Sequence, residues 1–265
     1  MAQVLRTAQM KSVLDPASGL PIGPEIDPAP ARRPLNGTLL EGRHVVLAPI
    51  DPAAQADTLY AEAHGPEGDA LWLYLSTAPF ADPALFRAYL ERAAVSEDPL
   101  FFAIVERTTG RPLGHATYMR IEPGHRVIEV GNILYTPKLQ RSLGATEAMY
   151  LMARHAFEEL GYRRYEWKCN ALNAPSRRAA LRLGFTYEGT FRNHMIVKGR
   201  SRDTAWFSML ADEWPARKAA FERWLDPANF DEGGRQRLSL SALNAPQAGD
   251  RDGGAGAGVT APASS

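Results

Sequence analysis

The chain has 265 residues, 45% of them hydrophobic, and its 30 basic residues balance its 30 acidic ones. This length allows one sizeable core or two small ones. A net charge of zero gives no indication of a nucleic-acid or membrane-surface partner, and no run approaches the roughly 18 apolar residues of a membrane span. We expect no nucleic-acid or membrane partner, and either a monomer or a homodimer.

Cysteine usage and the N-terminal residues give an expectation about location. Cys169 is the one cysteine, so no internal disulfide can form, and no Cys/His cluster has zinc-ligand spacing. The first residues, MAQVLRTAQMKSVLDPASG, lack the apolar segment of a secretory signal. We therefore expect a cytoplasmic protein without a bound metal.

Composition divides the chain into three parts. Residues 1–35 are rich in Pro, Gly and Ala, which predicts an irregular N-terminal arm. Residues 36–226 alternate apolar and polar segments, which predicts one folded domain. Residues 227–265 end in GDRDGGAGAGVTAPASS, which buries too little apolar surface to offset chain entropy, so this part is predicted to be a disordered tail.

Within the central part, hydrophobic periodicity and turn signals predict alternating strands and helices. The predicted strands span 43–50, 100–107, 112–122, 125–136, 163–169, 185–193 and 203–210. The predicted helices span 51–63, 82–97, 145–160, 174–183 and 212–225, with a short helix or turn at 69–75. Asp51 and Asp82, each followed by proline, mark helix starts, and Gly161 marks a helix end. The pattern predicts an α+β fold, layered like α/β proteins, with helices on the faces of a mixed sheet.

The stretch LQRSLGATEA, residues 139–148, reads as a loop that closes directly into a helix. A helix N-terminus presents unpaired N–H groups and a partial positive charge, which suit a phosphate group. Gly144 and Ala145 are small enough to let a ligand approach the backbone, Arg141 can pair with a phosphate, and Thr146 can add a hydroxyl. An ordinary helix start, with small residues for packing, is the alternative.

Two further segments surround this loop in the sequence. A glycine in a strand, Gly131, predicts a bulge or the close approach of a ligand. With a period of two, Glu129, Gly131 and Ile133 share one face of that strand. The segment CNALNAPSRRAALRLGFTYEG places Asn173 and Ser176 three residues apart at a helix start, where a simple cap at Asn173 is one interpretation.

The order strand, loop, helix, strand, followed by N-x-x-S-x-x-x-x-x-x-x-G-F, resembles the GNAT superfamily of acyl-CoA-dependent N-acyltransferases. It looks most like the branch that includes the ribosomal-protein N-terminal acetyltransferases, and the similarity runs from about residue 40 to residue 214. The resemblance implies the GNAT fold, a mostly antiparallel twisted sheet flanked by helices and splayed between the strands at 125–136 and 163–169.

The resemblance also implies a coenzyme A site and acetyl-CoA as co-substrate. The family's pyrophosphate loop, Gln/Arg-x-x-Gly-x-Gly/Ala, falls on Gln140 to Ala145, with Leu143 where the family usually has its first glycine. The implied coenzyme-binding residues are Ile133, Leu134, Tyr135, Gln140, Arg141, Ser142, Leu143, Gly144, Ala145, Thr146, Asn173 and Ser176. Backbone groups of 133–135 would hold the thioester carbonyl and the pantetheine arm, and Asn173 would bond the pantetheine. Arg177 and Arg178 would either meet the coenzyme's 3′-phosphate or form a solvated face.

The reaction implied is direct attack of a primary amine, either a protein N-terminus or a small amine, on the acetyl thioester. Amines are mostly protonated near pH 7, so a base is needed, together with donors for the oxyanion. Glu129 is the best candidate base, because it lies in the strand that resembles the family's acceptor-side strand, two residues before Gly131; a solvent-facing strand carboxylate is the alternative. Asp203 and His194 are weaker candidates, and Ser176 is the candidate acid for the leaving thiolate.

Other interpretations stay open at this point. A non-catalytic acyl-CoA-binding regulatory module is the alternative to an enzyme, because Leu143 departs from the family loop. Cys169 is expected to be a core residue rather than a nucleophile. Trp72, Tyr74 and Phe80 either fill the N-terminal core, which we favour slightly, or wall the acceptor pocket.

Overall fold

The structure, a computed structural model, describes residues 12–66 and 68–245. The strands in this part of the chain are Val13–Leu14 (β1), Pro21–Ile22 (β2), Leu40–Glu41 (β3), Val45–Ala48 (β4), Leu100–Glu106 (β5), Pro112–Glu122 (β6), Val127–Tyr135 (β7), Arg164–Asn170 (β8), Thr186–Val197 (β9) and Arg200–Leu210 (β10). The α-helices are Pro52–Ala63 (α1), Pro83–Ala94 (α2), Leu143–Arg154 (α3), Ala174–Arg182 (α4), Trp214–Leu225 (α5) and Leu240–Leu243 (α6). Short 3-10 helices lie at Asp69–Trp72 and Pro227–Asn229, and a π-helical turn, His155–Glu159, follows α3.

One eight-stranded sheet organises the molecule, in the order β3-β4-β5-β6-β7-β8-β10-β9. Its neighbours are antiparallel except β7 and β8, which are parallel. The parallel pairing runs from Val127 opposite Arg164 to Val130 opposite Trp167 and ends there. The α+β class, the mostly antiparallel sheet and the splay between these two strands are therefore confirmed.

Two apolar clusters lie on the two faces of the sheet. Alternate residues of β5 show the division, because Phe102 and Ile104 belong to the cluster that contains α3 and α5, whereas Phe101 belongs to the cluster of α1 and α2. Trp72 is fully buried in the second cluster, and Phe80 packs against it, which confirms the core interpretation for both residues.

Helix caps explain most of the helix starts. Asp51 and Asp82 accept backbone N–H groups at the starts of α1 and α2, and each is followed by proline, as predicted. Helix α3 begins at Leu143 rather than at 145, because the Ser142 hydroxyl accepts the Ala145 N–H at 3.1 Å. Its continuation ends before Gly161, which has a φ of +79°.

The β9–β10 hairpin is longer than the sequence predicted. Both strands extend to a tight turn in which Lys198 and Gly199 have positive φ values. Asn193 also has a positive φ, of +49°, and the register shifts beside it. The bulge breaks the alternation of β9, which is why the predicted strand stopped at 193.

The predicted disordered tail is wrong for residues 227–245. The Asn229 amide donates to Trp224 O at 3.2 Å and to Leu238 O at 3.0 Å, and Leu240 is fully buried. The Arg217 guanidinium donates to Asn244 O at 2.8 Å. These bonds dock a segment of polar composition against α5, which composition alone could not indicate. The rest of the predicted tail, 246–265, lies outside the described residues.

The predicted N-terminal arm is partly ordered. Within 12–35 a small antiparallel ribbon pairs β1 with β2, and Ala31 is buried against the main core. Residues 1–11 of the arm lie outside the described part of the chain. None of the helices in 12–66 and 68–245 has the length and apolar character needed to cross a bilayer.

A buried carboxylate anchors α3 to the N-terminal strands. Glu147 accepts the backbone N–H groups of Arg43, His44 and Val45 at 2.8, 2.6 and 2.9 Å. Its side chain therefore satisfies three donors of the β3–β4 turn at once. The helix and the edge of the sheet are held in one relative position by this carboxylate.

We expect Glu147→Gln to lower the free energy of unfolding by about 2–4 kcal/mol, because an amide presents one acceptor and a donor where three donors converge. Urea unfolding of both proteins measures the difference. Glu91→Gln is the matched control, because Glu91 is exposed on α2. A loss below about 0.5 kcal/mol, typical of surface changes, would contradict the anchoring role.

Candidate active site

A bulge interrupts β7 at the predicted strand glycine. Against β6, Gly131 pairs with Thr117 but Leu134 pairs with His115, so β7 carries one extra residue between the two pairs. Asn132 lies in this bulge with a φ of +45°. The prediction of a bulge at this point is confirmed.

The bulge changes which residues share a face. Val130 and Ile133 both pack against the cluster that contains α3, whereas Leu134 lies in the opposite cluster. Simple alternation would have placed Glu129 and Ile133 on one face, and that prediction is wrong because the extra residue reverses the order.

Beyond the bulge, one edge of β7 is free. Pairing with β8 ends at Val130, so within the described residues the β8-facing edge of 131–135 has no strand partner. Backbone donors and acceptors on such an edge need partners from elsewhere. The gap between the two diverging strands can therefore hold a chain that carries amide and carbonyl groups.

Buried polar groups of β6 and α2 lie next to the bulge. The Thr117 hydroxyl donates to Gly131 O at 3.0 Å, and His115 Nε2 lies 3.3 Å from the Tyr89 hydroxyl. Burial lowers the pKa of His115 to about 4 and raises the pKa of Tyr89 to about 12. Both groups are therefore uncharged at neutral pH.

The start of α3 keeps free donors. The Ala145 N–H is taken by the Ser142 cap, but the N–H groups of Arg141, Leu143 and Gly144 have no acceptor among the described residues. Leu143 turns its side chain to the main core. Its bulk therefore does not cover these donors, which together with the helix dipole suit an anion.

Two residues of this segment serve packing more than ligand approach. A Cβ on Gly144 would lie 2.7 Å from Val45 Cγ1, so this glycine is small because β4 lies against it. Thr146 is buried, and its hydroxyl accepts from the Arg182 guanidinium at 3.1 Å. At Gly144 and Thr146, the structure therefore fits the alternative that the sequence left open, in which these residues serve packing.

Hydrogen bonds join the loop to the free edge of β7. Gln140 Nε2 donates to Tyr135 O at 3.2 Å, and the Tyr135 hydroxyl donates to Ala145 O at 3.1 Å. Segments 133–135 and 140–145 therefore lie next to each other and are joined by hydrogen bonds. The sequence predicted these two segments as parts of one site.

The start of α4 lies on the other side of the gap. Asn173 caps this helix, since its Oδ1 accepts the Ser176 N–H at 3.1 Å. The Ser176 hydroxyl accepts from Trp167 Nε1 at 3.0 Å. Burial raises the pKa of the Cys169 thiol, and a hydrogen bond with Ser176 opposes that effect. Ser176 therefore sits beside the end of β8, where the strands have parted.

Glu129 is buried and paired, so the solvent-facing alternative is wrong. Its side chain is 4% exposed, and Oε2 lies 2.6 Å from Arg120 Nη1 and 2.9 Å from Lys168 Nζ. Lys168 also contacts Glu166 Oε2 at 2.6 Å and lies over the Trp206 ring at 3.9 Å. Glu129 Oε1 points toward Gly131, where an added Cβ would lie 3.4 Å from it.

Sequence reasoning missed the partners of Glu129. Lys168 and Glu166 alternate on β8, and Glu129 stands opposite Glu166 in the parallel register. The alternation of charges in EWK was the available signal. Arg120 could not be recognised, because its position depends on a second register shift near the end of β6. In the described ranges, no group of three His, Cys, Asp or Glu side chains could hold a metal ion.

A family model described as an acetyltransferase (GNAT) domain matches residues 44–186. The chain belongs to the GNAT acetyltransferase family. Members of this family take the acetyl group from acetyl-CoA, so acetyl-CoA is the co-substrate and the protein is an acetyltransferase.

Solved and curated relatives agree with this assignment. A GCN5-related N-acetyltransferase from Brucella melitensis is 44% identical, with a TM-score of 0.79 over 82% of this chain and 97% of that one. An uncharacterized N-acetyltransferase, p20, from Bacillus licheniformis is 26% identical over 53% of this chain and 80% of its own. The microcin C7 self-immunity acetyltransferase MccE, solved with acetyl-CoA and AMP, shares the fold at 20% identity, with a TM-score of 0.56 over 64% of this chain and 93% of that one.

We expect Gly144→Ala to destabilise the protein by about 1–3 kcal/mol, although the same change in an open helix stabilises by about 1 kcal/mol. The clash with Val45 is the reason. In a Val45→Ala background the change should become neutral or stabilising, as measured by urea unfolding. Coenzyme A affinity, measured by calorimetry, should be equal in the Val45→Ala protein and the double variant. A loss confined to the double variant would instead show that the ligand needs the glycine.

We expect His115 to make stability fall as the pH is lowered. Between its folded pKa of about 4 and the ordinary value of 6.5, the unfolded chain binds a proton that the folded chain does not. His115→Gln keeps an acceptor for Tyr89 but removes this proton. Near pH 5 its unfolding free energy should depend on pH less steeply than in the wild type, by about 1.4 kcal/mol per pH unit. Equal slopes in urea titrations would contradict the buried, neutral imidazole.

Proposed function

We propose that the protein transfers the acetyl group of acetyl-CoA to a primary amine by direct attack, with a small amine or a protein N-terminus as acceptor. The observation that carries this proposal is the gap between β7 and β8. A free strand edge lines one side of it, Ser176 lies on the other side, and the free donors of α3 follow at its end.

The coenzyme would be held by three groups of atoms. The free N–H groups of Arg141, Leu143 and Gly144, with the Arg141 guanidinium, suit the pyrophosphate. Backbone groups of 133–135 suit the pantetheine amides, and Asn173, whose Oδ1 caps α4, would bond the pantetheine through its Nδ2. Gln140, Ser142, Ala145 and Thr146 contribute by shaping the helix start. Leu143 stands where the family loop usually has its first glycine, and this difference was the reason for the non-catalytic alternative. Because Leu143 leaves the N–H donors free, the difference does not favour that alternative.

Bound acetyl-CoA would supply a thioester carbonyl, which the amine attacks. A nitrogen–carbon bond forms to the acceptor and the carbon–sulfur bond breaks, with its electron pair leaving on sulfur. Glu129 receives the amine proton, directly or through water, and passes it to solvent. Ser176 donates a proton to the sulfur and is reprotonated from solvent.

The two proposed roles differ in their surroundings. Oε1 is the oxygen of Glu129 that remains to accept a proton, because Oε2 already faces Arg120 and Lys168. The Ser176 hydroxyl accepts from Trp167, and its O–H, which can bond the Cys169 sulfur, would turn to the leaving thiolate. Backbone N–H groups on the edge of β7 that has no strand partner would stabilise charge on the thioester oxygen.

The test is thiol release from acetyl-CoA with a panel of amines. We expect Glu129→Gln and Ser176→Ala each to lower kcat by about 10²- to 10⁴-fold, as for other general acid–base groups. Coenzyme A affinity, measured by calorimetry, should stay within about threefold. Glu122→Gln is the matched control, because Glu122 is an exposed carboxylate on β6.

Two results would contradict the proposal. If the folded wild type does not bind acetyl-CoA, the proposed coenzyme site is wrong. Full activity of Glu129→Gln would show that Glu129 is not the base, and that a water chain or another group takes the amine proton. Melting curves of each variant show that the fold is retained.

A further inference from the structure

One arginine on β10 has no side-chain partner among the residues that the structure describes. Arg202 on β10 is half-buried, and its Nε is a buried nitrogen without a hydrogen-bond acceptor. No ion pair or hydrogen bond of its side chain occurs within residues 12–66 and 68–245. Arg164, in contrast, bonds both Glu166 and Glu188. A half-buried guanidinium without an acceptor is costly, which indicates that something else supplies one.

The register of β10 places Arg202 on the same side of the sheet as Glu129. Thr204 pairs with Asn170 and Trp206 with Lys168, so even-numbered residues of β10 share the face of Lys168. Lys168 in turn contacts Glu129. Arg202, two residues before Thr204, extends this row toward the end of β8.

Electrostatic effects on Arg202 agree with the position that the register gives it. Burial lowers the pKa of Arg202, and Glu129 and Cys169 act in the opposite direction. Burial raises the pKa of the Cys169 thiol, whereas a hydrogen bond with Ser176 and the charges of Arg202 and Arg177 lower it. The row that holds Lys168 and Arg202 therefore runs from the contact with Glu129 toward the end of β8.

Two links join the segments of the chain that lie at the end of β8. The Lys198 ammonium, at the tip of the β9–β10 hairpin, donates to Trp72 O at 2.8 Å and Leu73 O at 3.0 Å. The Tyr74 hydroxyl donates to Leu172 O, just beyond β8, at 3.2 Å. The hairpin tip and the residue after β8 are thus fixed to the same loop, and an acceptor that enters between fixed segments is favoured when it is small.

We infer that the acceptor is a small amine that carries its own carboxylate, as an amino acid does, and that Arg202 binds this carboxylate. The planar guanidinium can bind it with two parallel hydrogen bonds. The amine then lies on the side of Glu129. The inference rests on the proposed function, since it names the substrate class of the same site.

The test compares each of the twenty L-amino acids with its C-terminal amide in the thiol-release assay. We expect the preferred acid to exceed its amide by at least about tenfold in kcat/KM. Arg202→Met should raise KM for that acid about 10- to 100-fold and leave the amide within about twofold. Arg200→Met is the matched control, because Arg200 is an exposed arginine on the same strand, and it should leave both substrates unchanged.

Several results would overturn the inference while the proposed function stands. Equal use of acid and amide would do so, as would an equal loss of both in Arg202→Met. A tripeptide amide that is acetylated better than every free acid would show that the acceptor is a peptide N-terminus.

A binding measurement decides the inference even if no amine supports thiol release. With coenzyme A present, an acid that raises Tm when its amide does not, and that has no effect on Arg202→Met, would support the anion site although the proposed function had failed. If no acid raises Tm and none is acetylated, the inference is wrong.

Discussion

The site depends on the point at which β7 stops pairing with β8. The two strands run parallel through Val130 and Trp167 and then part, while β7 keeps its other neighbour, β6. The bulge at Asn132 bends β7 at this point, and the next residues turn a free backbone edge toward the gap. A continuous sheet would pair these groups and leave no room for a ligand. Parallel strands also send their following helices back from the same end, so the starts of α3 and α4 both arrive at the gap.

Fixing α3 is the second requirement, because its free N–H groups must stay at the end of the gap. Glu147 and Gly144 both lie on the side of α3 that meets the N-terminal strands, one by hydrogen bonds to the β3–β4 turn and one by contact with Val45. The Ser142 cap consumes one donor and defines the first turn. Donors on a rigid element are preorganised, so an anion that binds them does not have to order the chain. In the proposed site, the small residues of the loop would therefore act indirectly, through the position of the helix.

Local signals in the sequence were enough for most of the fold. The Asp-Pro pairs define the starts of α1 and α2, and the strand glycine predicts the bulge, because caps and bulges depend on a few neighbouring residues. The environment of Glu129 could not be predicted in this way, since Arg120 and Lys168 come from two other strands whose registers are set by distant contacts. The order of 227–245 was missed for a similar reason. Its composition is that of a disordered chain, and its amide groups find partners only when α5 is in place.

The charges around Glu129 bear on the form in which an acceptor can enter. Glu129 and Glu166 face Lys168, Arg120 and Arg164 on neighbouring strands, and Glu188 joins Arg164. Among these groups the three cations match the three carboxylates, so Arg202 adds a positive charge that has no carboxylate partner in the described part of the chain. A simple ammonium would approach Glu129 against this excess, and its affinity would suffer in a region of low dielectric. An amine that brings its own carboxylate removes the excess at Arg202 and places its nitrogen beside Glu129. The charges around the proposed base would therefore also disfavour acceptors that are only cationic.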